Sequence, residues 1–332
     1  MAENNGVMVY AETAEGMLTA MATEGLGCGR KLADDLGQEL SAVLLGADVE
    51  SLAGEAITFG ADKVYVVDDP LLKDYRTDAY LAAMEKVVNE AKPQIILMGQ
   101  TTVGRDLAPS LAFHLGTTAT LDCIDLTIDP ESKQLLRTKP VYGGNAQAVF
   151  NSETNPQIAS IRPKAMTPLQ PDTSRKGDII KIDAGLDPAA IRTAVLDRVV
   201  EEVAGIKLED AETIVAGGRG IGGPEGFQQL EDLAKTLKGA VGATRPPCDN
   251  GWVPDTVQIG ITGKIVAPDL YIAVGLSGSS QHMSGCSGAK TVVAINKDAE
   301  ANIFRQAHYG VVGDWKKIVP AFTEKVRNLL AS

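Results

Sequence analysis

The chain has 332 residues, enough to bury a substantial core and long for one domain, so two domains are expected. Its net charge of -12 disfavours nucleic acid and anionic membranes as main partners, and 5% aromatic residues is thin for a surface that stacks successive bases. No apolar run is long enough to cross a bilayer, and "MAENNGVMVYAET" has neither the basic segment nor the apolar stretch of a signal peptide, so a cytoplasmic protein is expected.

The first half alternates strand and helix. "GVMVYAE" reads as a strand, residues 16–36 as a helix interrupted by glycines, "LSAVLLG" as a strand and "SLAGEAITFGA" as a short helix. "KVYVVDD" follows as a strand, then "TDAYLAAMEKVVNEAKP" as a helix with Thr77 as its N-cap, "QIILMGQT" as a strand and "VGRDLAPSLAFHLG" as a helix closed by glycine. These strands are continuous Val, Ile and Leu runs, as expected where helices cover both faces of a parallel sheet. From about 120 to 163 the chain reads as extended segments with turns. Residues 164–190 contain Pro168, Pro171 and Pro188 and show no helical period, and the inter-domain connection is placed at 185–205. The expected domains are therefore 1–190 and 200–332.

A second α/β pattern occupies the C-terminal part. "ETIVAGG" reads as a strand, 224–239 as a helix with Pro at its start and Gly at its end, and "AVGAT" as a short strand. "TVQIGITG", "LYIAVGLSG" and "KTVVAINKD" read as strand-then-turn units. "DWKKIVPAFTEKVRNLL" reads as an amphipathic helix with its apolar face at 318, 319, 322, 326, 329 and 330. The expected fold is α/β in two domains, each a mainly parallel sheet flanked by helices, the second of them Rossmann-like.

Cys28, Cys123, Cys248 and Cys286 are widely spaced with no C-x-x-C pair, which argues for reduced thiols and against iron–sulfur or structural zinc sites. His114, His282 and His308 are scattered, and no metal is expected. No spacing nominates a Ser–His–Asp, Cys–His or paired-carboxylate centre, so no catalytic residue is assigned.

Gly218, Gly220 and Gly223 form a G-x-G-x-x-G between a strand and a helix. Three readings fit. One is a dinucleotide fingerprint; the next strand then ends at Thr244 and Arg245 with no carboxylate, which suits NADP over NAD and yields an NADP-dependent oxidoreductase as the alternative function. A second is a turn that only satisfies backbone geometry. The third, preferred reading is an anion-friendly loop whose Arg219 meets a phosphate of a different dinucleotide.

In an open parallel sheet, ligands bind beyond the carboxyl ends of the strands. Those ends supply Arg219; Thr244 and Arg245; Gln258 to Thr262; Ser277 to His282; Asn296 and Lys297; and Asp314 and Trp315. Cations for phosphates, hydroxyls and amides for directional hydrogen bonds, and small residues for close approach are what an extended dinucleotide needs.

The stretches "VAGGRG", "LAKTLKGAVGATRP", "VQIGITGKIVAPDLYIAVGLSGSSQHMSG", "KTVVAINKDAEANIF" and "YGVVGDWKKIVPAFTEKV" resemble the alpha subunit of electron-transfer flavoprotein, the FixB family. The likeness extends over nearly the whole chain, more loosely before residue 200, where "GRDLAPSLA" carries it. It implies a heterodimer with a beta subunit that meets the N-terminal domain, and FAD bound chiefly by the C-terminal domain of alpha. It also implies electron shuttling, without substrate chemistry of its own, from an acyl-CoA dehydrogenase-type flavoenzyme of fatty-acid β-oxidation to an acceptor.

Carried over by motif, the FAD contacts fall on Arg219, Thr244 and Arg245; on Gln258, Ile259, Gly260, Ile261 and Thr262; on Ser277, Gly278, Ser279, Ser280, Gln281 and His282; and on Asn296, Asp314 and Trp315. The resemblance makes His282 a donor to the flavin C2 carbonyl, sets Arg245 near the ring system and gives Thr262 a hydrogen bond at N5. These three would ease the arrival of negative charge on the flavin. Ile261 stands where many members carry Gln, and Ser279, Ser280 and Cys286 lie in a segment that varies. No Cys-rich ferredoxin-like segment precedes the first strand, so no cluster is expected. Two assemblies fit: a simple carrier with AMP on the beta subunit, or an electron-bifurcating complex with a second FAD there.

Overall fold

Apolar residues on both sides of each strand dictate a sheet buried on both faces, and the computed structural model, which describes residues 4–144, 146–197 and 206–330, builds two of them. One compact unit holds Met1–Pro140 and Gln147–Val199, the other Val141–Ala146 and Val200–Ser332. The expected connection at 185–205 lies partly outside the described residues.

The first unit carries a seven-stranded sheet of β1 (Val7–Tyr10), β2 (Leu40–Gly46), β3 (Lys63–Asp68), β4 (Ile95–Gly99), β5 (Ala119–Cys123), β9 (Gln157–Ile161) and β10 (Asp178–Lys181). Their order is β10-β3-β2-β1-β4-β9-β5, parallel throughout. The period-2 geometry of a strand sorts the residues: Val7 and Val9 face α1 (Ala20–Leu36) and α2 (Ala53–Thr58), whereas Met8 and Tyr10 face α3 (Thr77–Ala91) and α4 (Thr102–His114). An antiparallel sheet of β6 (Asp125–Ile128), β7 (Leu135–Val141) and β8 (Ala146–Phe150) interrupts the alternation. The 3-10 turn at its tip, Tyr142–Gly144, belongs to the second unit.

Four sequence expectations change here. The first helix starts at Ala20, because residues 13–14 and 17–18 pair as a short hairpin and Thr19 caps the helix through Ala22 N–H. Its glycines do not break it; they let it approach β1 and the 167–169 backbone closely. Thr77 is the first residue of α3 and its hydroxyl donates to Asp106 instead of capping. Within 164–190, "DIIK" adds β10 to the sheet edge beside β3.

The second unit is a five-stranded sheet of β11 (Thr213–Gly217), β12 (Ala240–Ala243), β13 (Leu270–Val274), β14 (Thr291–Asn296) and β15 (Tyr309–Val312). Its order is β12-β11-β13-β14-β15, again parallel. Val215, Ile272 and Val274 pack with Phe227, Leu230 and Leu233 of α5 (Pro224–Thr236) and with Trp315 and Val319 of α8 (Trp315–Leu330). Ile214, Ala216, Tyr271 and Ala273 face the opposite side, covered by Leu208, Ile259, Met283 and Ile303. The chain thus changes faces between β11 and β13, the crevice where such sheets bind ligands.

Two corrections apply here. "TVQIGITG" forms no continuous strand: a 3-10 turn at Asp255–Val257 is followed by isolated bridges from Gln258 to Ala243 and from Ile259 to Lys264. The buried stripe of α8 is Trp315, Val319 and Thr323, whereas Phe322, Leu329 and Leu330 are exposed.

Candidate functional site

Parallel register carries the sequence-predicted residues to one edge. Gly217 lies opposite both Ala243 and Val274, Val274 is beside Ile295, and Asn296 is beside Val312. Every loop that leaves a carboxyl end in this unit therefore starts from the same rim.

At the switch point the two loops are almost in backbone contact. Gly218 N–H donates to Val274 O (3.0 Å) and Gly220 N–H to Gly275 O (2.8 Å). A Cβ at Gly218 would stand 2.5 Å from Leu276 Cα, and one at Gly220 would stand 2.6 Å from Gly275 O. This close approach accounts for both glycines without a nucleotide fingerprint. Arg219, between them, is exposed.

Thr244 N–H donates to Gly217 O (3.0 Å), which fixes the second loop. Arg245, which opens the short α6 (Arg245–Asp249), projects outward, 65% exposed, and meets Asp249 at 3.3 Å. The 258–262 segment continues beside β12, since Ile259 N–H donates to Ala243 O (2.9 Å). Gln258 is buried and donates to Thr262 Oγ1 (3.0 Å), while Ile261 and Thr262 face outward.

The loop after β13 turns at Gly275 (φ 59°) and Gly278 (φ 76°), conformations that favour glycine. A Cβ on Gly278 would stand 2.5 Å from Ile303 N, and Ile303 N–H donates to Ser277 O (3.0 Å). Ser277, Ser279, Ser280 and Gln281 are exposed along its outer side and lead into the short α7 (Ser280–Met283). Gln281 O accepts from Ile261 N–H (2.9 Å), so this loop and the 258–262 segment share a seam. Asn296 donates to Leu276 O (2.8 Å), tying β14 to the same loop.

Three predicted contacts are placed differently from simple ligand donors. His282 is 4% exposed, with Nε2 at 2.7 Å from the Tyr271 hydroxyl and Nδ1 at 2.9 Å from Ile259 O. Burial holds its pKa down at about 4, so the ring is neutral. Trp315 is buried and its indole N–H donates to Gly220 O (3.1 Å), so it anchors the Arg219 loop from below. Asp314 caps α8 by accepting from Lys316 N–H (3.0 Å).

Sequence reasoning missed Tyr271. Its only signal was a phenol inside an otherwise apolar strand, which demands a buried partner but does not say which one.

The donor set suits a dinucleotide such as FAD. Two exposed guanidiniums, the hydroxyls of Thr262, Ser277, Ser279 and Ser280 and the Gln281 amide face outward, while the apolar and glycine residues beneath them are packed.

Comparison with known proteins bears on this rim directly. A family model described as "Electron transfer flavoprotein domain" matches residues 7–187, and one described as "Electron transfer flavoprotein FAD-binding domain" matches 207–287. The chain is 46% identical over 330 residues to an electron transfer flavoprotein subunit alpha of Thermoanaerobacterium thermosaccharolyticum, covering 99% of this chain and 100% of that one. It is 43% identical to the corresponding subunit of Bacillus subtilis, with 97% and 98% covered, and 39% identical to a protein FixB of Clostridium saccharobutylicum, with 100% and 99% covered.

Proposed function

Since the chain belongs to the electron transfer flavoprotein alpha family, we propose that it is the FAD-holding half of a heterodimer that carries electrons from an acyl-CoA dehydrogenase-type flavoenzyme to an acceptor. Its C-terminal part is the FAD-binding domain of that family. FAD supplies the chemistry, because it accepts and releases electrons singly or in pairs; the protein supplies the grip and the field. The N-terminal domain, 1–190, meets the beta subunit, and 200–332 holds the dinucleotide.

The observation that supports this reading is the register that starts the Arg219, Arg245 and Ser277–Gln281 segments from one rim, with the Thr262 segment bridged to Ala243 and Gln281 beside them. Arg219 would meet the pyrophosphate and Arg245 would lie near the ring system and favour negative charge there, in loops whose positions are fixed by backbone hydrogen bonds. Thr262, oriented by Gln258, and the exposed serines with Gln281 fix the orientation of the bound dinucleotide. His282 acts from beneath, as part of the support for the 258–262 segment.

Co-purification with the beta subunit should give a yellow heterodimer with a flavin spectrum. Arg219→Ala and Arg245→Ala should each weaken FAD binding about tenfold, a loss of ~1.4 kcal/mol. A folded heterodimer that takes up no FAD, or FAD content that is indifferent to both substitutions, overturns the reading. Cofactor stoichiometry then sorts the two assemblies: one FAD with AMP is the simple carrier, two FAD the bifurcating complex.

A further inference from the structure

We propose that Gln258 is a positioning residue for the flavin site: its buried amide occupies a lone pair of the Thr262 hydroxyl, so that the hydroxyl proton is turned outward to the bound dinucleotide. The proposal rests on the FAD reading above.

The backbone of residues 258–264 folds into a tight turn with a fixed base. Ile259 N–H donates to Ala243 O (2.9 Å), Lys264 N–H to Gln258 O (2.8 Å) and Gly260 N–H to Lys264 O (3.2 Å). Gly263 N–H then donates to Gly260 O (3.0 Å), which closes a β-turn with Ile261 and Thr262 at its tip. Two close approaches leave the turn little room to shift. A Cβ on Gly263 would stand 2.4 Å from Gln258 O, and one on Gly285 would stand 2.4 Å from Gly260 N. Both tip residues are exposed on the rim, whereas Gln258, at the base, is 8% exposed.

This backbone places Thr262, but a hydroxyl is a rotor that the backbone leaves free to turn. Gln258 Nε2 lies 3.0 Å from Thr262 Oγ1. An amide N–H only donates, so the threonine oxygen accepts here and its own proton has to go elsewhere. Among the described residues that hydroxyl makes no other hydrogen bond, and its proton is left for the rim side. Accepting from an amide also makes the hydroxyl a better donor, because hydrogen bonds in a chain polarise one another. With the amide turned the other way, Oε1 would take the threonine proton, and the rim would offer the ligand only lone pairs. The two orientations act with opposite sign on a ring system that gains negative charge.

The test uses the FAD-loaded heterodimer. Gln258→Met keeps the length of the side chain and removes the amide. It should release FAD about threefold faster, the size of one modest hydrogen bond, and lower the midpoint potential of the flavin. Thr262→Val should do the same. Adding Gln258→Met to Thr262→Val should then change neither quantity further, since the amide acts through the hydroxyl. A merely structural Gln258 would give the same factor in both backgrounds, and that additivity overturns the proposal. A potential that rises in Gln258→Met, the mark of the opposite amide orientation, overturns it too, as does one that stays in place. Where the methionine variant does not assemble, Gln258→Asn, whose shorter amide stops short of Thr262, is read in the same way. A folded heterodimer that takes up no FAD defeats the functional reading and this proposal together, whereas FAD held with an additive cycle strikes the proposal alone.

Discussion

Glu24 of α1 is 7% exposed, with Oε2 lacking a hydrogen-bond partner. Desolvation pushes its carboxyl up to about 7, an effect that the nearby backbone of Met166 and Lys164 offsets only in part. The folded state therefore keeps a proton that the unfolded chain has already lost, and stability falls as pH rises from about 4.5 to 7. Glu24→Gln removes that loss. The variant should match the parent below pH 4.5 and exceed it at pH 8 by roughly 1 kcal/mol once solvent screening is allowed for. Urea midpoints at the two pH values check it, and a gain of equal size at both would show that charge is not the cause. His282 runs the opposite way: its depressed pKa makes the folded state resist protonation between about 6.5 and 4, so acid weakens the second unit through this buried ring.

Helix α1 shows how one element can defeat intrinsic propensity. Alanine is favoured over glycine inside a helix by about 1 kcal/mol. At Gly27, however, a Cβ would stand 2.4 Å from the Thr167 carbonyl oxygen, a backbone atom that cannot swing aside. Gly27→Ala should cost about 1–3 kcal/mol net, as overpacking outweighs propensity. Gly54 in α2 is exposed and has nothing within 4 Å of its notional Cβ, so Gly54→Ala should stabilise by about 0.5–1 kcal/mol. Denaturant midpoints of the pair test the argument, which fails if both substitutions move stability the same way. The same contrast explains what the sequence disclosed. Runs such as "IILMG" and "LYIAV" announce themselves because burial on both faces leaves no polar position, and the site loops were found because they follow those runs. "DIIK" escaped because an edge strand buried on neither side carries no such run: three of its four residues are exposed and the fourth is half-buried. "TVQIGITG" misled because Ile259 is buried against Gly242 of the sheet, in one core cluster with Met283 of α7, although its own backbone makes only isolated bridges. The α8 stripe was displaced because Thr323, polar in sequence, satisfies its hydroxyl on Val319 O and enters the core. The Tyr271–His282 bond joins a strand to a loop through space, and no local pattern encodes such a pair.

At the scale of the whole molecule, the buried residues fall into clusters that do not mix the two units. Those of the first unit run from Val7 to Ile182, those of the second from Leu208 to Val319. Each unit thus has its own hydrophobic driving force, and a ligand held by one stabilises that one first. The chain offers a reporter for this asymmetry, because its two tryptophans, Trp252 and Trp315, both belong to the second unit. Trp315 anchors the Arg219 loop through Gly220 O, so its emission follows the rim itself. FAD at a hundredfold excess over its dissociation constant adds about 2.7 kcal/mol to whatever it binds, which raises a domain's midpoint by several degrees. Thermal unfolding with FAD should therefore move the tryptophan transition of this chain upward, while part of the far-UV circular dichroism change, contributed by the first unit, stays in place. Equal displacement of both signals would mean that the dinucleotide is shared between the units. No displacement of the tryptophan signal would remove the second unit's rim as its seat.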